Sequence, residues 1–198
     1  MVEQRTRSLV ILVAMVALTG CTGFLGSDTV RSTFDNGTEN WTVVGDAQGG
    51  QVEPTQVSEG GNPGGYLEAD DDVSGGVWYW NASRAYLGDK SAYVGGTLSF
   101  DLRQSATDSQ FDATDVVLVS GDTRLGYDFG NASTHPKTNW THYEVQLSAD
   151  GWTNLSEDAP ATEADLERVL SDLDELRIRG EYREGSDTGG IDTVELSK

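Results

Sequence analysis

From Thr33 onward the chain alternates short apolar runs with clusters of Gly, Asn, Asp and Ser, the pattern of an all-β sandwich or barrel. Successive side chains of a strand point to opposite faces. In "TLSFDLR", Leu98, Phe100 and Leu102 therefore share a face against Ser99 and Asp101, and in "THYEVQL" Tyr143, Val145 and Leu147 oppose His142, Glu144 and Gln146. One dry and one wet face per strand is what two packed antiparallel sheets require. The pattern predicts strands at Trp41–Val44, Val77–Trp80, Thr97–Arg103, Val116–Ser120, Trp140–Leu147, Leu176–Tyr182 and Thr193–Leu196. Residues 60–65 and Asp70–Asp72 read as mobile loops.

One segment changes period. In "TEADLERVLSDLDEL", Leu166, Val169, Leu170, Leu173 and Leu176 follow helical spacing. Thr162 followed three residues later by Asp165 approximates a capping box. The apolar stripe reads as a lid on the sandwich, with a partner-binding groove as the alternative. In "GGVWYWNAS", Trp78 and Trp80 share one face and Tyr79 takes the other, which fits either a sugar-stacking platform or the centre of a core.

The amino-terminal segment has another pattern. Arg5 and Arg7 precede an apolar run from Leu9 to Leu18, which is too short to span a bilayer comfortably, and small residues then lead to Cys21. Leu18-Thr19-Gly20-Cys21 resembles a prokaryotic lipobox, in which cleavage precedes a lipidated cysteine. Cys21 is the only cysteine of the chain, which suits attachment and excludes an intramolecular disulfide. An ordinary secretory signal with an incidental cysteine is the alternative. The expected organisation is a signal peptide over 1–20, a tether over 21–32 and one domain over 33–198. The predicted location is the outer face of the cell membrane, held by lipid.

Charge narrows the partners. Thirteen basic against 33 acidic residues give a net charge of −20, spread along the chain. Such a surface repels phosphate, so nucleic acid is excluded as a partner. Dispersed acidity also keeps a protein soluble where salt screens charge, and predicts a salt-loving prokaryotic source. His135 and His142 are the only histidines, and neither lies in a nucleophile-elbow motif, so a hydrolytic triad or a His/Cys zinc site has little support. Asn-x-Ser/Thr triplets begin at Asn36, Asn40, Asn81, Asn131, Asn139 and Asn154. Asn36, Asn81 and Asn131 are the favoured glycan acceptors on an exported surface.

"VWYWNASRAYLGDKSAYVGGTLSFDLR", then Trp140 opening a strand, then "ATEADLERVLSDLDELRIRGEY" and "GIDTVELS" together resemble the laminin IV type A domain, also called the laminin B domain. The likeness runs from about Phe34 to Leu196. It implies a jelly-roll, galactose-binding-like β-sandwich of two antiparallel sheets, with one short α-helix before the last strands, no catalytic activity, and a strand that carries Trp78 and Trp80 across the interior with Tyr79 on the wet face. The chain departs from the animal pattern in lacking flanking cysteine-rich repeats, so only an extracellular binding or structural role transfers. Jelly rolls of this kind commonly hold one structural calcium where first and last strands meet. Asp35, Glu68 and Asp192 are the expected calcium ligands, with a tight turn at Asp35-Asn36-Gly37 as the alternative. Two roles follow. The first is a binding module for a glycan or envelope polymer, using Tyr79 and Tyr86 as stacking platforms. The second is an envelope protein that contacts other proteins and binds no sugar.

Overall fold

The computed structural model describes residues 29–46, 53–71 and 75–198. Cys21 and the expected signal peptide lie outside these residues. The strands are β1 (Thr29–Ser32), β2 (Thr42–Gly45), β3 (Thr55–Gly61), β4 (Gly64–Asp71), β5 (Trp78–Asn81), β6 (Thr97–Gln104), β7 (Val116–Ser120), β8 (Thr123–Tyr127), β9 (Thr141–Gln146), β10 (Trp152–Asn154), β11 (Ala159–Pro160), β12 (Glu175–Arg179) and β13 (Asp187–Ser197). One helix, α1 (Glu163–Ser171), precedes β12. Sheet A runs β3-β4-β13-β6-β9, with β1 also on β13, and sheet B runs β11-β10-β8-β7-β12-β5-β2. Every pairing is antiparallel.

Alternation decides which residues meet between the sheets. Leu98, Phe100 and Leu102 of β6 and Val145 of β9 are fully buried against Trp80, Leu118 and Ile178 of sheet B. Trp78 and Trp80 are core, with ring centroids 5.0 Å apart and planes at 79°. The edge-to-face arrangement suits aromatic quadrupoles. Gly180 of the segment after β12 makes room for this pair: a methyl group there would land inside the Trp78 indole.

The helix forms as its sequence predicts. Thr162 Oγ1 accepts from the Asp165 amide at 3.2 Å, and the Asp165 carboxylate accepts from the Thr162 amide at 2.9 Å, closing the capping box. Leu166, Val169 and Leu170 are buried in the common core, as are Leu173 and Leu176 beyond the helix end. The stripe is a lid and offers no open groove.

Three sequence expectations need correction. Residues 29–32, read as tether, form β1 and pair with the last strand, Thr29 opposite Ser197 and Ser32 opposite Val194. Residues 60–65 belong to the β3–β4 hairpin, and Asp70 and Asp71 close β4. The last strand is longer than predicted, because β13 pairs with β4 through Asp187–Ile191 and with β1 through Val194–Ser197. Its register with β6 shifts between Asp192 and Glu195, and Thr193 there takes a φ of 47°. Asp192 supports the break: its carboxylate accepts from the Thr193 amide at 2.6 Å and from the Asn62 amide of the hairpin turn.

Candidate functional site

The outer face of sheet A follows from strand register. Glu68 of β4 lies opposite Gly190 of β13, which lies opposite Arg103 of β6. Asp192 lies opposite Asp101, which lies opposite His142 of β9. Tyr66 shares the face of Glu68, two residues away, and Trp140 stands just before β9. Four strands thus bring two aromatic rings, a guanidinium, a histidine and several carboxylates onto one surface.

Arg103 organises the centre. Its guanidinium carbon sits 4.3 Å from the Tyr66 ring centroid and 5.0 Å from that of Trp140. Cation–π contact of this kind holds the planar group in a fixed orientation. Tyr66 and Trp140 meet edge-to-face at 5.4 Å. The Trp140 indole N–H donates to the Gly60 carbonyl at 2.9 Å, which fixes that ring against the β3–β4 hairpin. The Tyr66 hydroxyl donates to Glu68 at 2.8 Å, and Arg103 reaches the same carboxylate at 3.5 Å. Gly190 is the floor, since a Cβ there would stand 3.0 Å from Arg103 Cγ and 3.2 Å from the Trp140 ring. A cavity of about 360 Å³ opens beside Arg103, lined by Glu68, Gln104, Ser105, Thr138 and Thr188.

The neighbouring row is acidic. His142 is exposed, and its Nδ1 lies 2.8 Å from the buried carboxylate of Asp101. Its Nε2 lies 3.8 Å from Glu144. Both ring nitrogens therefore face carboxylates, which orients the imidazole. The other oxygen of Asp101 accepts from the Asn62 amide side chain at 3.2 Å. Asp192 beside it is fully buried. Burial, with the Asp101 charge as a smaller cause, pushes its carboxyl up to about 6.

The residues expected from sequence fall elsewhere. Tyr86 is fully buried beside Trp41 and donates its hydroxyl to the Val194 carbonyl at 2.9 Å, so it cannot serve as a stacking platform. Tyr79 lies half-buried on the outer face of sheet B, and its hydroxyl donates to the Thr114 carbonyl at 3.1 Å. The two tyrosines form no common surface. Asp35 accepts from the Gly65 amide at 3.0 Å, Asp192 from backbone amides, and Glu68 faces Arg103. Among the described residues no group of three or more His, Cys, Asp or Glu side chains gathers to hold a metal ion. Asn36 and Asn131 are exposed, while Asn81 is half-buried with its amide directed to Thr42 Oγ1 at 3.4 Å.

Tyr66, Arg103 and Trp140 were not singled out from sequence. Alternation in "TLSFDLR" puts Arg103 with Asp101 on the wet face, and the same rule pairs Tyr66 with Glu68 in "GGYLEADD". Reading residues 60–65 as loop concealed the second strand.

The model of the laminin B (domain IV) family matches residues 79–198, more than half of the chain. The chain belongs to that family. Laminin B domains occur in long proteins: the chain is 24% identical over 169 residues to laminin subunit gamma-1 of Xenopus tropicalis, covering 85% of this chain and 10% of that protein. It is 26% identical over 114 residues to a basement membrane proteoglycan of Caenorhabditis elegans, covering 58% of this chain and 3% of that protein. The L4b domain of human laminin alpha-2 superposes with a TM-score of 0.66 at 15% identity, covering 86% of this laminin B chain and 98% of that one. A family 11 carbohydrate-binding module from Clostridium thermocellum, in complex with a β-1,3-1,4-mixed-linked tetrasaccharide, superposes with a TM-score of 0.57 at 17% identity, covering 85% and 95%. At these identities the two structures establish the shared β-sandwich.

Proposed function

We propose that the protein is an exported, non-catalytic binding module that holds a glycan or cell-envelope polymer on the outer face of sheet A. The observation that carries this reading is Arg103, fixed between Tyr66 and Trp140 above the floor left by Gly190. A guanidinium held by rings presents its donors at little further entropic cost, and the half-buried Trp140 offers an apolar surface to the C–H face of a sugar. Glu68, Gln104, Ser105, Thr138 and Thr188 beside it supply acceptors and donors for hydroxyls. Polar groups converging beside an aromatic wall are the usual composition of a small-ligand site. The carbohydrate-binding module of like fold, solved with a tetrasaccharide, supports a saccharide, and the laminin and basement-membrane relatives support an extracellular setting.

The test is a glycan-array screen in high salt, followed by titration of the best hit. Arg103→Ala and Trp140→Ala should each weaken binding by about tenfold or more, a loss of about 1–3 kcal/mol per stacking contact, while circular dichroism stays unchanged. A screen without hits, beside capture of a defined envelope protein through the same two residues, would replace the glycan by a protein partner. Attachment through lipid at Cys21 belongs to the same proposal. A Cys21→Ser protein should leave the membrane fraction, and undiminished membrane partition would refute the anchor.

A further inference from the structure

A second polar cavity, of about 670 Å³, shares no lining residue with the one beside Arg103. It lies between β1 of sheet A and the β2–β5 edge of sheet B, and is closed by the segment around the one-turn 3₁₀ helix Arg84–Tyr86. Three observations concern what would fill it.

The cavity gathers positive charge on a molecule of net charge −20. Arg31 and Arg84 both line it. Arg31 touches Glu195 only at 4.0 Å, and Arg84 is exposed and enters none of the ion pairs among the described residues. The one carboxylate in the lining, Glu39, accepts through its Oε1 from the backbone amides of Phe34 at 2.9 Å and Thr33 at 3.2 Å, and two guanidinium groups face it across the lining.

One acceptor in the wall beside these arginines has no partner. Asn81 Oδ1 is buried without a hydrogen-bond partner, while the amide nitrogen of the same side chain faces Thr42. A buried acceptor left unmade is costly, and a carboxylate alone cannot satisfy it because it brings no proton. A ligand hydroxyl can. Ala82, Ala85 and Leu87 add an apolar strip to the same wall.

The loop that carries the lining is also held in an uncommon backbone conformation. Glu39 and Asn40 have φ of 50° and 62°, both in the left-handed region that residues with a Cβ seldom adopt. Consecutive non-glycine residues of this kind concentrate at ligand sites.

We propose that this cavity binds an acidic saccharide, a sugar unit bearing both hydroxyls and a carboxylate. The carboxylate accepts from the Arg84 guanidinium, whose planar fork matches two carboxylate oxygens, with Arg31 at the opposite rim. A ring hydroxyl donates to Asn81 Oδ1, and the C–H face of the ring lies on Ala85 and Leu87. The site is independent of the one on sheet A, because no residue lines both cavities.

The experiment is calorimetric titration of the folded protein with tetragalacturonate, with its fully methyl-esterified form and with inorganic phosphate. The free acid should bind, the ester should bind at least tenfold more weakly, and phosphate should not compete. Arg84→Gln should weaken the free acid about tenfold, equivalent to about 1.4 kcal/mol, with an unchanged melting temperature because the side chain is exposed. Arg103→Ala should leave this affinity intact. Equal binding of acid and ester, displacement by phosphate, no binding of the acid, or an unaffected Arg84→Gln variant would each overturn the proposal. Loss of binding in Arg103→Ala alone would assign the saccharide to sheet A instead.

Discussion

Glu181 shows how far burial can move a single group. It is 3% exposed at one end of the sandwich and accepts from the Trp78 amide at 3.3 Å. Burial, then the nearby charges of Asp71 and Asp46, pushes its carboxyl up to about 8. A carboxyl whose folded value lies above its unfolded value binds more protons in the native state between the two, so stability falls as pH rises through that interval. Burial also raises Asp192, to about 6, which adds the same sign over the lower part of the range. The expected result is a melting temperature that declines from about pH 5 to about pH 8, with a shallower decline in Glu181→Gln. A profile that rises with pH over that window, or a variant with the wild-type slope, would contradict it. Asp35, Asp108 and Asp165 act with the opposite sign at lower pH, because hydrogen bonds lower their carboxyls and that stabilisation is lost as acid protonates them.

The elements meet at positions where volume is fixed. Trp78 of β5 occupies the space beside two glycines, Gly180 after β12 and Gly189 within β13, and so ties sheet B to sheet A. Gly180 does not need a left-handed φ; it needs the absence of a side chain. Gly180→Ala should therefore destabilise by about 1–3 kcal/mol through overpacking, and by more if the indole leaves its place. Thermal unfolding checks this, and a melting temperature equal to wild type would show that the indole has another seat. Alternation settled that Trp78 and Trp80 share a face, and the likeness to the laminin IV type A domain made that face the core, as the structure shows. Their glycine partners lie far along the chain, and periodicity carries no information about such contacts.

The whole molecule carries its charge in a way that salt should reveal. With 33 acidic and 13 basic residues, self-repulsion opposes the compact state wherever it is unscreened. Raising salt from about 0.1 M to about 1 M shortens the screening length from about 10 Å to about 3 Å. The melting temperature should rise through that range, and one indifferent to salt would refute the halophilic reading. The same repulsion gives the few uncommitted arginines their significance. Most of the guanidinium groups among the described residues, Arg103, Arg168, Arg177, Arg179 and Arg183 among them, stand against carboxylates, so Arg84 at the rim of a cavity is an exception.

Sequence alone determined the two-sheet class, the positions of most inner strands and the helix with its cap. Each of these rests on local periodicity or on contacts within one turn, which neighbouring residues fix. The tertiary structure decided where those strands lie side by side, and hence every site. Tyr86 reads as surface in its own segment and is buried because Trp41 and Val194 close over it. Arg103 is unremarked within β6 and becomes a centre because Tyr66 and Trp140 arrive from other strands. Thr29–Ser32 has too little pattern to announce a strand and becomes one because the far half of β13 offers a free edge. Register between distant strands is set by the packing of the whole core, which no local stretch of residues encodes.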